Sequence, residues 1–345
     1  MDKYDDSSVI QLALKLHNTL AALDRQTSGK VGRVYGVVRT RLLNQIALLA
    51  EALGDPDTAL PSDAVSLIGR ADLLRQIEVG LTRAGVAAEP HLLTARKAAI
   101  DAAVTAAEKM ISSQRSRASR SAARLFGWEK IDPAKINELI ATLQDGTPLD
   151  RWLRKLGPET AAAVETAIER GVIEGVNVGE LAKRLAAETG MADRRAMMAV
   201  RESTFGISRR ANDETYRKNS KILAGKLRIE HIDEKTCRAC LALHGRIYKV
   251  NEVMPGHPNC RRVEVPILKS GAGVQDVEQT GEAYLSQLSD DQLIRVFGSV
   301  DAVAAWKAGD VTLDDFHDVV ETEWGPQTRI VGLNRALASA ARRSG

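Results

Sequence analysis

A mainly helical chain carrying one small β module is the fold class this sequence predicts, and three observations predict it. Alanine and leucine dominate the 345 residues, and both favour helix. Aromatics, which favour strands, make up only 4%. The exception is the stretch from Ile229 to Leu268, where GRIYKV and RRVEVPIL alternate as strands do and turn residues cluster between them. The expected architecture is therefore α+β. An elongated helical N-terminal region occupies 1–125, a helical middle 126–228, a short cysteine-bearing sheet 229–270, and a linker with C-terminal helices 271–345.

In chain order, Ser8 to Leu23 carries an apolar stripe through Val9, Leu12, Leu16 and Leu20, and Gly29 to Gly36 is expected to interrupt it. Val37 to Leu53 resumes the stripe and stops at Gly54-Asp55-Pro56. Ser62 reads as the N-cap of a helix through Leu67, Leu74, Ile77 and Leu81 that ends near Gly85. Pro90 then opens an alanine-rich helix that fades into a Ser/Arg run, Ser112 to Arg124. Asp132-Pro133 starts another helix, closed by Gly146 and Pro148, with Phe126, Trp128, Leu139 and Trp152 as core anchors. Gly157-Pro158 should open a helix to about Gly171. Asn177 and Glu180 form a capping box for a helix closed by Gly190, and a further helix runs from Asp193 to about Lys218. Past a polar linker after Leu268, two amphipathic helices bring together Tyr284, Leu288, Leu293, Phe297, Val303, Trp306, Val311 and Leu313.

The chemistry concentrates between Ile229 and Leu268. All three cysteines lie there, Cys237, Cys240 and Cys260, with three of the six histidines, His231, His244 and His257. The spacing is C-x2-C, sixteen residues, then H-x2-C. Cys237, Cys240, His257 and Cys260 supply the four soft donors of a tetrahedral structural zinc, with no open position for a water nucleophile. Arg238, Arg246, Arg261 and Arg262 would offset the surplus thiolate charge. Two other readings stay open: three thiols packed as small hydrophobes, and a redox pair.

DEKTCRACLALHG followed by PGHPNCRR resembles the signature of phage Mu F-like minor head proteins, the head morphogenesis family. Asp233, Cys237, Cys240, Gly245, Pro255, His257, Pro258, Cys260 and Arg261 carry the resemblance, and Arg262 departs from it where many relatives show a further cysteine. A looser likeness extends from about Gly157 to Phe316, through Arg201-Glu202-Ser203 before the cysteines and Val296-Phe297-Gly298 with Trp306 to Gly309 after them. The resemblance implies a structural minor capsid protein of a tailed phage, present in multiple copies. It would associate with the portal or other capsid components during head assembly in the host cytoplasm, then reside in the virion, and it would influence DNA packaging or ejection.

The exclusions agree. The sequence has no G-x-x-x-x-G-K-[ST] loop, no G-x-G-x-x-G, no H-E-x-x-H and no G-x-S-x-G, so no enzyme is expected. The acidic, polar start MDKYDDSS does not read as a signal peptide, and no apolar run is long enough for a membrane span. The competing class is a zinc-stabilised DNA-binding or DNA-processing protein. The Ser/Arg run speaks for it, as do Arg209, Arg210, Arg217, Lys218, Lys221, Lys226 and Arg228, although a net charge of +3 alone does not demand nucleic acid. A cysteine-dependent enzyme is a weaker third class, and it would lose all activity on Cys260→Ala.

Overall fold

The structure, a computed structural model, describes residues 7–60, 70–115, 128–143, 146–257, 260–269, 280–322 and 325–344. Ser62, Phe126, Pro258, the Ser/Arg run beyond Arg115 and the linker after Lys269 therefore lie outside the described residues. The fold is mainly helical with small antiparallel sheets, as the sequence predicts. Among the described residues no helix is long and apolar enough to cross a membrane. The chain divides into two compact units. A helical unit comprises Ala22–Lys97 and Ile140–Thr204, and a sheet unit comprises Met1–Ala21, Ala98–Leu139 and Phe205–Gly345.

Helices α1 (Ser7–Leu53) and α2 (Arg70–Arg115) are each continuous, which corrects two expected breaks. Gly29, Gly32 and Gly36 do not interrupt α1, because the buried stripe continues past them through Thr27, Val31 and Tyr35. A glycine costs a helix only about 1 kcal/mol, and packing of that stripe outweighs it. Pro90 likewise sits inside α2, where Leu92, Ala95 and Ala99 are fully packed. Gly85 marks close contact and not a helix end: a Cβ there would lie 2.9 Å from the Leu153 carbonyl oxygen.

The same correction applies further along. After α3 (Pro133–Ala141), which starts at the expected proline, α4 (Leu149–Glu174) runs straight through Gly157-Pro158. A Cβ on Gly157 would strike the Glu78 carbonyl oxygen and the Thr82 hydroxyl, so only glycine admits this approach of α2 to α4. The true stop is Gly175, in the left-handed conformation at φ 64°. Helix α5 (Val178–Arg201) begins as predicted, with Asn177 accepting the Glu180 N–H at 2.8 Å, but it passes through Gly190 without a break. In the helical unit, Arg201 donates to Asp24 at 3.0 Å, so its carboxylate partner is on α1. A π-helical turn, Glu202–Gly206, follows, and then α6 (Ile207–Lys218).

The sheet unit is built on three strands: β1 (Leu223–Ile229), β2 (Ile247–Tyr248) and β3 (Val263–Leu268), ordered β2-β1-β3 and all antiparallel. Strands β2 and β3 are those read from the sequence. The central strand β1 is an element the sequence reading does not contain. Helix α7 (Arg238–Leu243) lies between β1 and β2. On the outer edge of β3, the Gln114 amide donates to the Pro266 carbonyl at 2.7 Å and accepts from the Leu268 N–H at 3.3 Å, closing an edge that would otherwise be open to pairing. Helices α8 (Gly281–Leu285), α9 (Asp290–Phe297) and α10 (Val300–Ala308) follow. A second sheet then pairs β4 (His317–Thr322) with β5 (Gly325–Ile330), before a final helix α11 (Leu333–Ser344). Leu285, Leu293, Phe297, Val303, Val311, Leu313 and Phe316 form the apolar core here, with Tyr284, Leu288 and Trp306 packed against it.

Candidate metal centre

The local fold brings the two halves of the cysteine motif together. Cys237 caps the N-terminus of α7 in an extended conformation, and Cys240 follows one turn later on the buried side. Asp233 shapes the entry by accepting the Lys235 N–H at 2.9 Å, while Arg261 grips the same carboxylate at 2.7 and 2.5 Å. That guanidinium, with help from the Lys235 N–H, holds the Asp233 carboxyl down at about 2. Gly245, at φ 80°, ends the α7 turn and donates its N–H to the Arg228 carbonyl at 2.9 Å.

His257 arrives on a loop whose carbonyls are held from the sheet. Arg262 donates to the Met254 carbonyl at 2.9 Å and Arg228 to the Pro255 carbonyl at 2.5 Å. Gly256 pairs with β5, and a Cβ on it would press within 2.5 Å of the Arg262 guanidinium. The Cys260 N–H donates to the His257 carbonyl at 3.0 Å, and β3 follows.

The donors gather at hydrogen-bond range. His257 Nε2 lies 3.2 Å from Cys237 Sγ and 3.1 Å from Cys240 Sγ, and Cys240 Sγ lies 3.8 Å from Cys260 Sγ. Bonds to zinc of ~2.3 Å for sulfur and ~2.0 Å for nitrogen imply tetrahedral edges of about 3.8 Å and 3.5 Å. The two His257–sulfur edges therefore need shifts of only a few tenths of an ångström to hold such an ion, whereas Cys260 meets Cys240 but is not within 4.8 Å of all three other donors. Cys237, Cys240 and His257 form one triad within 4.8 Å, and Glu230, Cys240 and Cys260 form a second that shares Cys240. The other two histidines of the stretch do different work. His244 Nδ1 accepts the Glu230 N–H at 2.9 Å, and His231 stacks on His17 at 4.4 Å between ring centroids.

The electrostatics divide the thiols unequally. Donation from Cys240 draws Cys237 down to about 4, and His257 adds to it. Cys240 is pushed well up, because its proton serves both Cys237 and Cys260 and because it is buried. Cys260 is held well below the usual thiol range by Cys240 first, and then by Arg262, Arg228 and Arg209. Burial pushes Glu230 up to about 7, with the charge of Cys260 adding and Arg228 opposing. Two sulfurs and an imidazole nitrogen within hydrogen-bond range, with a third sulfur beside Cys240, form a soft-donor cluster.

Sequence reasoning missed the most buried members of this site. Arg228 is fully buried and contacts Glu230 at 2.7 Å, Cys240 Sγ at 3.5 Å and Cys260 Sγ at 3.8 Å. Of the four arginines expected to offset the thiolates, Arg262 does so, at 3.7 Å from Cys260 Sγ. Arg261 pairs with Asp233, Arg246 with Asp314, and Arg238 donates to the carbonyls of Phe297 and Val331. The period-2 alternation Lys226, Arg228, Glu230 against Leu227 and Ile229 was the available signal.

Part of the basic run that suggested DNA is paired within the protein, Lys226 in the interior and Arg217 and Lys218 in exposed ion pairs. Lys226 bonds Asp213, Lys218 bonds Asp132 at 2.9 Å, Arg217 bonds Glu214 at 2.8 Å, and Arg209 donates to the Cys260 carbonyl at 2.9 Å.

Comparison with known proteins supports the motif reading. Residues 162–264 match the family described as phage Mu protein F like protein, a span that contains Cys237, Cys240, His257 and Cys260. That is under a third of the chain, and the looser likenesses around Phe297 and Trp306 fall outside it. No curated protein and no solved structure matches the chain.

Proposed function

From a phage Mu protein F-like segment at residues 162–264, we propose that the chain is a structural minor head protein of a tailed phage. It associates with the portal or the inner shell while the head is assembled, is carried in the virion, and affects packaging or release of the genome. The observation that carries this reading is that the family match ends on a folded Cys/His cluster whose donors converge from opposite ends of the module. The cluster's role is to bind zinc and so fix α7 against the His257 loop, joining segments that the backbone alone leaves sixteen residues apart. No catalytic step is assigned to it.

The competing reading, a zinc-stabilised DNA-binding protein, is less favoured because Lys226, Lys218, Arg217 and Arg209 are engaged within the protein. Co-expression with the cognate portal protein tests the reading. Copurification through a sizing column is the expected result. Separate elution at every salt concentration, together with duplex binding that weakens steeply with salt, would move the assignment to the DNA-binding class.

A further inference from the structure

We propose that the metal is held by Cys237, Cys240 and His257 alone, that Cys260 is reserved by guanidinium groups, and that the fourth metal position is exchangeable and takes a carboxylate. This rests on the zinc reading above and goes beyond it, since a four-cysteine/histidine site would be closed to outside ligands.

Two independent observations lead there. The first is the division of donors. Cys260 Sγ joins the cluster through Cys240, in a triad completed by Glu230 and not by His257. Within that triad there is already a cation. The Arg228 Nη2 atom lies 2.7 Å from Glu230 Oε1, 3.5 Å from Cys240 Sγ and 3.8 Å from Cys260 Sγ. Arg262 approaches Cys260 Sγ from another direction at 3.7 Å. A buried sulfur in contact with two guanidinium groups is already engaged, and drawing it onto the metal would break both contacts.

The second observation is a cleft of about 340 Å³ that has Cys237 in its wall. Cys240 and Cys260 are buried, but Cys237 is partly exposed, so one residue belongs both to the triad and to the cleft lining. The lining carries Lys235, Arg238 and Arg295 against the single acid Glu234, and Tyr284 and Leu288 supply apolar wall. A cationic, half-apolar cleft that opens beside a three-ligand metal suits an anionic oxygen donor on an apolar stem. The side-chain carboxylate of a partner protein has that chemistry, as does a free small carboxylate.

Cobalt substitution of the full-length protein reads both halves of the proposal. Cobalt binding at one equivalent, with thiolate-to-cobalt absorption appropriate to two sulfurs, is expected. Acetate titrated into the cobalt protein at fixed pH should shift the visible bands saturably. Cys260→Ser should leave cobalt stoichiometry and band intensity unchanged, and Arg295→Glu should weaken the acetate response by at least about fivefold at unchanged stoichiometry. If Cys260→Ser does not fold, the wild-type spectrum and its acetate response still decide. Absorption for three sulfurs with no response to acetate overturns this inference while leaving the zinc reading intact. Failure to bind cobalt or zinc at all overturns both. A peptide bearing a carboxylate that competes with acetate would identify a partner side chain as the donor, whereas response to acetate alone would identify a free small carboxylate.

Discussion

The two units of this protein are held together by different physics. In the helical unit, buried positions are mostly apolar, with Arg96 and Asp24 as charged exceptions, and glycines stand at close crossings, such as Gly85 and Gly157. In the sheet unit, β1 and β3 bury Lys226, Arg228, Arg262 and Glu264 together with Glu230, and the cysteines sit among them. Apolar packing tolerates a lost methylene, but a buried charge network fails when one partner is removed. The difference teaches where function was built: the region with the denser network of buried charge is the region that assembles the candidate metal centre.

The contrast can be broken most easily at Arg228. Replacing it with alanine leaves Glu230 and two thiol groups uncompensated, and should cost about 3–5 kcal/mol in chemical denaturation. A loss below about 1 kcal/mol would mean that the buried network contributes little. In the helical unit the matching experiment is Gly157→Ala, where the new Cβ meets the Glu78 backbone. Overpacking of this kind should cost about 1–3 kcal/mol, visible as a lower denaturation midpoint.

A pH series sharpens the comparison next. Burial first, and the stacked His231 second, push His17 down to about 4; Arg261 also lowers it, while Asn18 and Asp233 oppose. The unfolded histidine takes up its proton near 6.5, so this contribution is complete above that pH and is lost as pH falls toward 4. His17→Phe should flatten that acid limb of the stability profile by about 1–2 kcal/mol, and an unchanged limb would contradict the assignment. The smallest effect is expected at Gly32, where an added Cβ meets nothing within 4 Å. Gly32→Ala should raise stability by about 0.5–1 kcal/mol.

The same contrast explains what could be read from the sequence. Helical spacing identified the apolar stripes of α1 and α2, the Asn177 cap and the core around Phe297 and Leu313, because those positions are buried for hydrophobic reasons. Helix ends were misplaced where glycine or proline was taken as punctuation. Gly157 serves proximity to Glu78, a tertiary fact with no local sequence signature. The cysteine spacing pointed to Cys237, Cys240, His257 and Cys260, since ligand types and separations are local; the structure groups the first three and places Cys260 with Cys240 and Glu230. Arg228 and Glu230 stayed hidden because charge at a buried strand position reads as surface until the opposing residues are known. Strand β1 was missed for the same reason. The hairpin of β4 and β5 was missed as well, although its β5 strand holds Gly256 and with it the His257 loop.

The account stands on a metal ion joining the two ends of the cysteine motif, and elemental analysis of the purified protein tests it most directly. About one equivalent of zinc per chain, absent from Cys240→Ser, is the predicted result. Less than about a tenth of an equivalent in protein prepared with zinc present would contradict it.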